Sequence, residues 1–332
     1  MREGRAGDHP AGGGRPLLGG VEAGGTKFVC LVGRGPDAIA ASTRIEVADP
    51  SATLAAAVAF FADAAERGLA VAALGIGSFG PLQLDPAAPA YGHLKATPKP
   101  GWSGAPILAP FADALGVPIG LDTDVDAAAL GEGRWGAGRG VRSFVYLTVG
   151  TGIGGGAVVD GQVLRGVGHP EMGHIPVPRL AADPFPGACP FHGDCLEGMV
   201  SGPALAARFG RRAESLAADE RREAVRLVAG YLAAGIATIG YVLAPERVIV
   251  GGGVAELPGL VEAVGAAVTE RFAGYLVGDA HARPGFVVRP ELGAMAGPIG
   301  TLVLAEMALS RRPGRGPRIP PADQPSSSVV TP

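Results

Sequence analysis

The chain has 332 residues, enough for two domains and a large core. Its residues are 47% hydrophobic and 18% charged, a globular balance, and a net charge of −3 excludes a broadly basic surface for nucleic acid or membrane lipid. No apolar run reaches the roughly 18 residues of a membrane-spanning helix, and three cysteines are too few for a disulfide framework.

Residues 1–16 are rich in Gly and Arg and lack the apolar stretch of a secretory signal. They read as a disordered extension, and the expected compartment is the cytoplasm. Leu17 to Val21 reads as a strand, Glu22-Ala23-Gly24-Gly25-Thr26-Lys27 as a turn, and Phe28 to Val32 as a second strand. Thr26 can donate a hydroxyl, Lys27 can offer charge, and Glu22 could hold Mg²⁺ through water. The plainer alternative is a solvated turn with a surface ion pair. Lysine occurs three times, at 27, 95 and 99, which makes the place of Lys27 more noticeable.

A helix is expected from about 52 to 67, ended by Gly68, and a strand from Val71 to Ile76. Gly75 to Gly80 fits G-x-G-x-x-G, but Pro81 closes it and no helix follows. Gly77 to Trp102 reads as a long loop; such loops are functional or disordered, and its Tyr91, His93, Lys95, Thr97 and Trp102 argue against disorder. Trp102 could equally belong to the core. Val117 to Leu121 is a short strand running into Asp122-Thr123-Asp124-Val125-Asp126 and an Ala-rich helix to about Gly133. Three carboxylates at alternate positions repel one another, which favours a functional site, although Asp122 or Asp124 could be a helix cap. A carboxylate at a strand end suits a general base toward an alcohol.

Phe144 to Val149 is a strand, followed by Gly150-Thr151-Gly152-Ile153-Gly154-Gly155-Gly156, Ala157-Val158-Val159, a turn at Asp160-Gly161 and the apolar segment Gln162-Val163-Leu164. The order is strand, glycine turn, strand, tight turn, strand. Without Cβ, glycine lets backbone N–H groups approach an anion, so this turn is a candidate phosphate cradle; a plain hairpin bend is the alternative. It also matches G-x-G-x-x-G, but a dinucleotide turn needs a helix next, and β-branched residues and a hairpin follow instead. No G-K-[ST] Walker loop occurs. Two glycine-turn hairpins suggest an internally duplicated, two-lobed protein gripping one polyphosphate from both sides.

Further on come Gly168-His169-Pro170-Glu171-Met172-Gly173-His174 and Cys189-Pro190-Phe191-His192-Gly193-Asp194-Cys195. His174, Cys189, His192 and Cys195 supply two imidazoles and two thiolates, a tetrahedral zinc set. The alternative is two buried free cysteines with surface histidines. The Pro- and Gly-rich segment 175–188 has no helix of its own and would gain from a metal staple. A closed four-ligand set leaves no position for zinc hydrolysis chemistry. Helices are expected from Pro203 to Phe209, from Glu220 to Leu243, and from about Pro258 to Ala273, with a strand at Arg247 to Val250 meeting Gly251-Gly252-Gly253. An adenine or ribose could lie on that third glycine turn; a plain loop is the alternative. Phe286 to Arg289 is a last strand, Pro298 to Ser310 a final helix, and the Pro/Ser-rich tail 311–332 reads as disordered.

Taken together, these residues resemble the ROK family of sugar kinases and repressors, of the actin-like ATPase superfamily, and most of all its bacterial zinc-containing fructokinase branch. The resemblance covers about residues 17–310. It is carried by Gly20 to Lys27, Lys95 to Trp102 (KATPKPGW), Asp122 to Glu132, Gly150 to Gly156, His169 to His174, and Cys189 to Glu197. It implies an α/β, duplicated, ribonuclease H-like fold with the active site between lobes at about 17–122 and 123–297. The zinc loop would be 174–195, and the final helix is placed where it can pack back on the first lobe. It implies ATP, Mg²⁺ and Zn²⁺, with Asp124 as the base that deprotonates a sugar hydroxyl. Gly24, Gly25, Thr26 and Lys27, with Gly150, Thr151, Gly152 and Gly154, would hold phosphates, and Gly251, Gly252 and Gly253 the adenosine. Glu171 would bind sugar hydroxyls and His174 zinc. Glu197 is a further sugar-side candidate, as is Thr123, where many members carry Asn. Glu22 stands where many kinases of the family carry Asp. Asp126 stands where Asn is expected; an added carboxylate there could raise the base's pKa or disturb the sugar's fit. His192 replaces a third Cys of many relatives.

The activity implied is phosphorylation of D-fructose to fructose 6-phosphate. Glucose, mannose or an amino sugar is the alternative substrate. A ROK repressor would need an N-terminal DNA-binding unit, and only about sixteen Gly-rich residues precede the first strand. A sugar-binding pseudokinase is the remaining alternative, kept open by Asp126. A homodimer, with no nucleic-acid or membrane partner, is what the resemblance implies.

Overall fold

A computed structural model describes residues 15–275 and 278–310 of the chain. The expected extensions at 1–16 and 311–332 lie outside the described residues, apart from 15 and 16. The chain opens with a meander: β1 (Leu18–Ala23), β2 (Lys27–Gly33) and β3 (Ile39–Glu46). Asp49 caps α1 (Pro50–Glu66), taking the Ala52 N–H at 3.0 Å, with Pro50 at the first helical position. Then follow β4 (Ala73–Ser78), α2 (Ala109–Leu115) and β5 (Ile119–Thr123), and α3 (Asp124–Trp135) leaves β5 without a loop. A second meander comprises β6 (Phe144–Val149), β7 (Ile153–Val159) and β8 (Gln162–Val163). After it come α4 (Leu196–Val200), α5 (Gly202–Phe209), α6 (Ala218–Leu243), β9 (Arg247–Gly251), α7 (Leu260–Phe272), β10 (Val287–Val288) and α8 (Ala296–Ser310).

The first sheet has the order β3-β2-β1-β4-β5, the second β10-β9-β6-β7-β8. In each, the meander is antiparallel and the two later strands run parallel to its first strand. Traced outward from the meander the two orders are identical, so the duplication expected from two hairpins extends to whole sheets. Each sheet has its own core. Phe28, Phe61, Ile76 and Phe111 build one; Leu147, Leu232, Ile236, Val250 and Val264 build the other.

The helices that follow the last strand of each half cross between the sheets. α8 lies on the first sheet, and a Cβ on Gly75 would sit 1.8 Å from the Thr301 carbonyl oxygen. α3 packs on β7 and against α8, where a Cβ on Gly300 would sit 1.7 Å from the Ala127 oxygen. Backbone therefore meets backbone at the centre of the molecule, which only glycine allows.

Several sequence expectations need correction. β7 begins inside the glycine stretch, so Gly154, Gly155 and Gly156 are strand rather than turn. They are there because Val125, Met172 and the Val125 carbonyl occupy the space of their missing side chains, at 2.6–2.7 Å from an added Cβ. The cap of α3 is neither Asp122 nor Asp124 but Thr123, whose Oγ1 accepts the Asp126 N–H at 3.1 Å. β3 is an exposed edge strand of small and polar residues, and α2 is only seven residues long; neither carried a clear periodic signal. The long loop is ordered by Trp102, 1% exposed, which packs on Phe28 and Phe79 and donates Nε1–H to the Ala48 oxygen at 3.2 Å. By length and composition α6 and residues 293–310 could each cross a membrane, with 67% and 61% of those windows buried in the protein. Unbroken apolar runs miss both because occasional charged residues interrupt them.

Candidate active site between the two lobes

The ends of β1, β4, β5, β6 and β7 meet at a cavity of about 700 Å³. From the first lobe it is lined by Gly25, Thr26, Phe79 and the loop Ala96-Thr97-Pro98-Lys99. Thr123, Asp124 and Val125 form its floor, and Gly150 to Gly155, His169 to Glu171, His174, Cys189 and Glu197 line the opposite side.

Asp124 is the first residue of α3, placed there because the buried strand β5 ends on Thr123. Its Oδ1 accepts the Val125 N–H at 2.9 Å. Burial pushes its pKa up to about 6, against the lowering pull of that N–H and of His169, while Glu171 adds to the rise. Glu22 is pushed up to about 7, first by burial and then by Asp124, with Lys27 acting in the opposite sense. Of the two, Asp124 lines the cleft, in a range suited to proton transfer, and Glu22 does not line it.

The other two carboxylates of the triplet serve elsewhere. Asp122, fully buried, accepts the Thr123 N–H at 2.9 Å and pairs with Arg165, which arrives from beyond β8. Asp126, also fully buried, does not line the cavity; burial first, and then the neighbouring Asp122, raise its pKa well above the ordinary aspartate value. Neither of its side-chain oxygens has a hydrogen-bond partner of normal geometry, and Thr123 and Arg165 favour the ionised form less than burial and Asp122 oppose it. Holding a proton, it can donate to Asp122. The concern that Asp126 raises the pKa of the base is therefore corrected: burial and Glu171 raise Asp124.

On the sugar side expected from the sequence, His169 Nε2 contacts Glu171 Oε1 at 2.9 Å, and that hydrogen bond is the main cause of a lowered Glu171 pKa. Glu171 therefore stays an acceptor near neutral pH, with its side chain 48% exposed into the cleft. Glu197 also lines the cleft, but its Oε2 accepts the Ile153 N–H at 2.9 Å and so braces the second glycine turn.

Across the floor, Gly25 and Thr26 face Gly150, Thr151, Gly152 and Gly154, as the two-hairpin reading anticipated. Gly24 and Lys27 do not line the cavity. Nor do Gly251, Gly252 and Gly253, which back onto the second turn, where an added Cβ on Gly150 would lie 3.9 Å from the Gly253 nitrogen. His169, Arg165 and Lys99 escaped the sequence reading of the site. The signals that could have found two of them were local: His169 stands two residues before Glu171, and Lys99 is one of three lysines. Arg165 carried no signal, since it is 43 residues from its partner.

Beside the sugar wall, His174, Cys189, His192 and Cys195 bring their donor atoms within 4.8 Å of one another. The sulfur-to-Nδ1 separations are 3.6 Å (Cys195–His174), 3.7 Å (Cys189–His192) and 3.8 Å (Cys189–His174). Ligands at zinc-like bond lengths of about 2.1 and 2.3 Å would be spaced by about 3.5–3.8 Å in a tetrahedron. Burial and then Cys189 push the Cys195 thiol up to about 11, so without a cation Cys195 stays a thiol, and a bound cation would stabilise its thiolate. His174 and Cys189 also line the cavity, so this cluster forms part of its wall. The other end of the 175–188 segment is anchored by Asp183, which is paired with Arg208 at 2.8 Å and accepts the Tyr231 hydroxyl at 2.6 Å.

Comparison with known proteins agrees with this arrangement. A Bacillus subtilis (strain 168) protein, provisionally named a fructokinase, is 41% identical over 90% of this chain and 99% of its own length. The fructokinase of Zymomonas mobilis is 39% identical over 88% of this chain and 97% of its own. The crystal structure of a ROK family glucokinase from Streptomyces griseus in complex with glucose and AMPPNP superposes with a TM-score of 0.67 at 26% identity, over 87% of this chain and 99% of that one. With the ROK family model matching residues 18–308, the duplicated sheets and the cleft between them are those of a two-lobed actin-like sugar kinase fold, and the chain belongs to the ROK family.

Proposed function

We propose that this protein transfers the γ-phosphoryl group of ATP to the 6-hydroxyl of D-fructose. Asp124 carries the proposal: a carboxylate raised to about 6 on the floor of a cleft flanked by two glycine turns. Asp124 takes the proton from the sugar hydroxyl as its oxygen bonds to the γ-phosphorus; the bond from that phosphorus to the bridging oxygen breaks, and ADP leaves. The N–H groups at Gly25–Thr26 and Thr151–Gly152 approach the phosphates from opposite lobes, while the Gly150 N–H closes its turn on the Gly152 oxygen at 2.9 Å. Glu171, kept ionised and oriented by His169, accepts hydrogen bonds from sugar hydroxyls, and Thr123 holds the first turn of α3 under the substrate.

His174, Cys189, His192 and Cys195 would hold zinc, whose contribution there is to rigidify the wall of the sugar site, since four protein ligands leave no open position. Mg²⁺ would neutralise phosphate charge; Glu22, off the cavity lining but near enough to feel the Asp124 charge, would hold it through water.

The test is ADP release from Mg-ATP with fructose, glucose, mannose and N-acetylmannosamine in parallel, for the wild type and Asp124→Asn. Turnover selective for fructose and abolished in the variant is the expected result. Faster turnover on another of these sugars would move the substrate. A folded, zinc-loaded protein that releases no ADP with any of them would overturn the reading.

A further inference from the structure

A phosphoryl-transfer site must offset the charge of a polyphosphate, yet the side chains of this cleft are mostly of the wrong sign. Asp124, Glu171 and Glu197 line it, and among the described lining residues Lys99 is the one lysine or arginine. Lys27, in the first glycine turn, stands off the lining on β2, opposite Glu46.

Lys99 is held where such a charge is useful. Its Nζ donates to the carbonyl oxygen of Gly25, at the tip of the first glycine turn. It also lies 5.9 Å from the ring centroid of Trp102, within the range of a cation–π contact. Trp102 is itself immobilised by its bond to Ala48 and by two aromatic neighbours. An ammonium has three donors, and Gly25 uses one, so two remain to be directed into the cleft. The side chain is thus oriented before any ligand arrives, which lowers the cost of using it in the transition state.

We infer that Lys99 is a catalytic residue that contacts the phosphoryl group being transferred, bridging it to the first glycine turn. The inference rests on the phosphoryl-transfer reading above. It places Lys99 on the γ-phosphate rather than the inner phosphates because Lys99 shares the cleft with Asp124, and the transferred group must lie within reach of the sugar oxygen that Asp124 deprotonates. The segment 96–99, which lines the cleft, is then part of the catalytic machinery, while Trp102 of the same loop covers the core.

Two measurements test it, on Lys99→Met and Lys99→Arg, with Lys95→Met as the control for the loop, since Lys95 is exposed and off the lining. In steady-state turnover, Lys99→Met is expected to lose about 10²-fold in kcat, with the KM for fructose changed less than about twofold, while Lys99→Arg recovers part of the loss and Lys95→Met matches the wild type. In calorimetric titration with Mg²⁺ present, Lys99→Met is expected to bind AMPPNP about tenfold more weakly than the wild type and ADP almost unchanged, because only the triphosphate analogue presents a γ-group. Equal AMPPNP affinity in wild type and Lys99→Met would overturn the inference. So would an effect confined to the KM for fructose. The titration needs no turnover, so failure of the kinase reading, seen as a wild type that releases no ADP, is distinguished from failure of the role given to Lys99.

Discussion

A carboxylate at the end of a buried strand ionises only as far as its surroundings allow, and for Asp124 burial outweighs the Val125 N–H and His169, leaving it near 6. As a base it must be deprotonated, so kcat/KM is expected to rise with pH and level off above about 6; a pH–rate profile that stays flat down to pH 5 would exclude it. The same shift lowers stability. Between the ordinary aspartate value of 3.8 and about 6 the folded state binds more protons than the unfolded, so stability falls as pH rises through that window and stays lower above it. Asp124→Asn, which cannot ionise, is expected to be more stable than the wild type at pH 7.5, by up to about 3 kcal/mol, and no different near pH 4, as read from urea unfolding. Asp126 gives the complementary case. An amide supplies a donor to Asp122 without needing a proton, so Asp126→Asn is expected to keep turnover and fold at least as stably as the wild type at pH 8; a loss of turnover comparable to that of Asp124→Asn would show that Asp126 works as an anion. The three acidic residues were legible as a cluster at a strand end. Their separate tasks were not, because Arg165 and the packing that buries them come from distant parts of the chain.

At the scale of elements, most strands and helices were readable from apolar runs, caps and glycine stops. The main departure was β7, where three consecutive glycines continue a strand because α3 and Met172 press against it. Local sequence carries no trace of that pressure. The segment 170–200 behaves as an element held at two points, by the His/Cys cluster and by the buried Asp183–Arg208–Tyr231 group. Removing a metal held by the cluster would release only the first. Chelation is therefore expected to lower the melting temperature and raise the KM for sugar more than the KM for ATP, since His174 and Cys189 line the cleft. A demonstrably metal-free sample with unchanged melting temperature and unchanged sugar KM would contradict a structural zinc.

For the whole molecule, the critical contact is the crossing of α3 and α8, through which each half's last helix secures the other half. Gly300→Ala drives a methyl group into the Ala127 carbonyl, and backbone cannot yield as a flexible side chain does. The variant is expected to lose on the order of 1–3 kcal/mol in urea unfolding, with activity falling as the lobes part; unchanged stability would show that the crossing relaxes freely. By itself the sequence determined the duplicated strand–glycine–strand hairpins, the acidic strand end and the His/Cys ligand set, because each is a short pattern whose residue types are tied to its local chemistry. Only the tertiary structure decided that α3 and α8 cross backbone to backbone, that Asp122 and Asp126 face each other while Asp124 faces the cleft, and that Lys99 rather than Lys27 lines it. Those outcomes depend on burial and on contacts between residues tens to hundreds of positions apart, which nothing in their local sequence encodes.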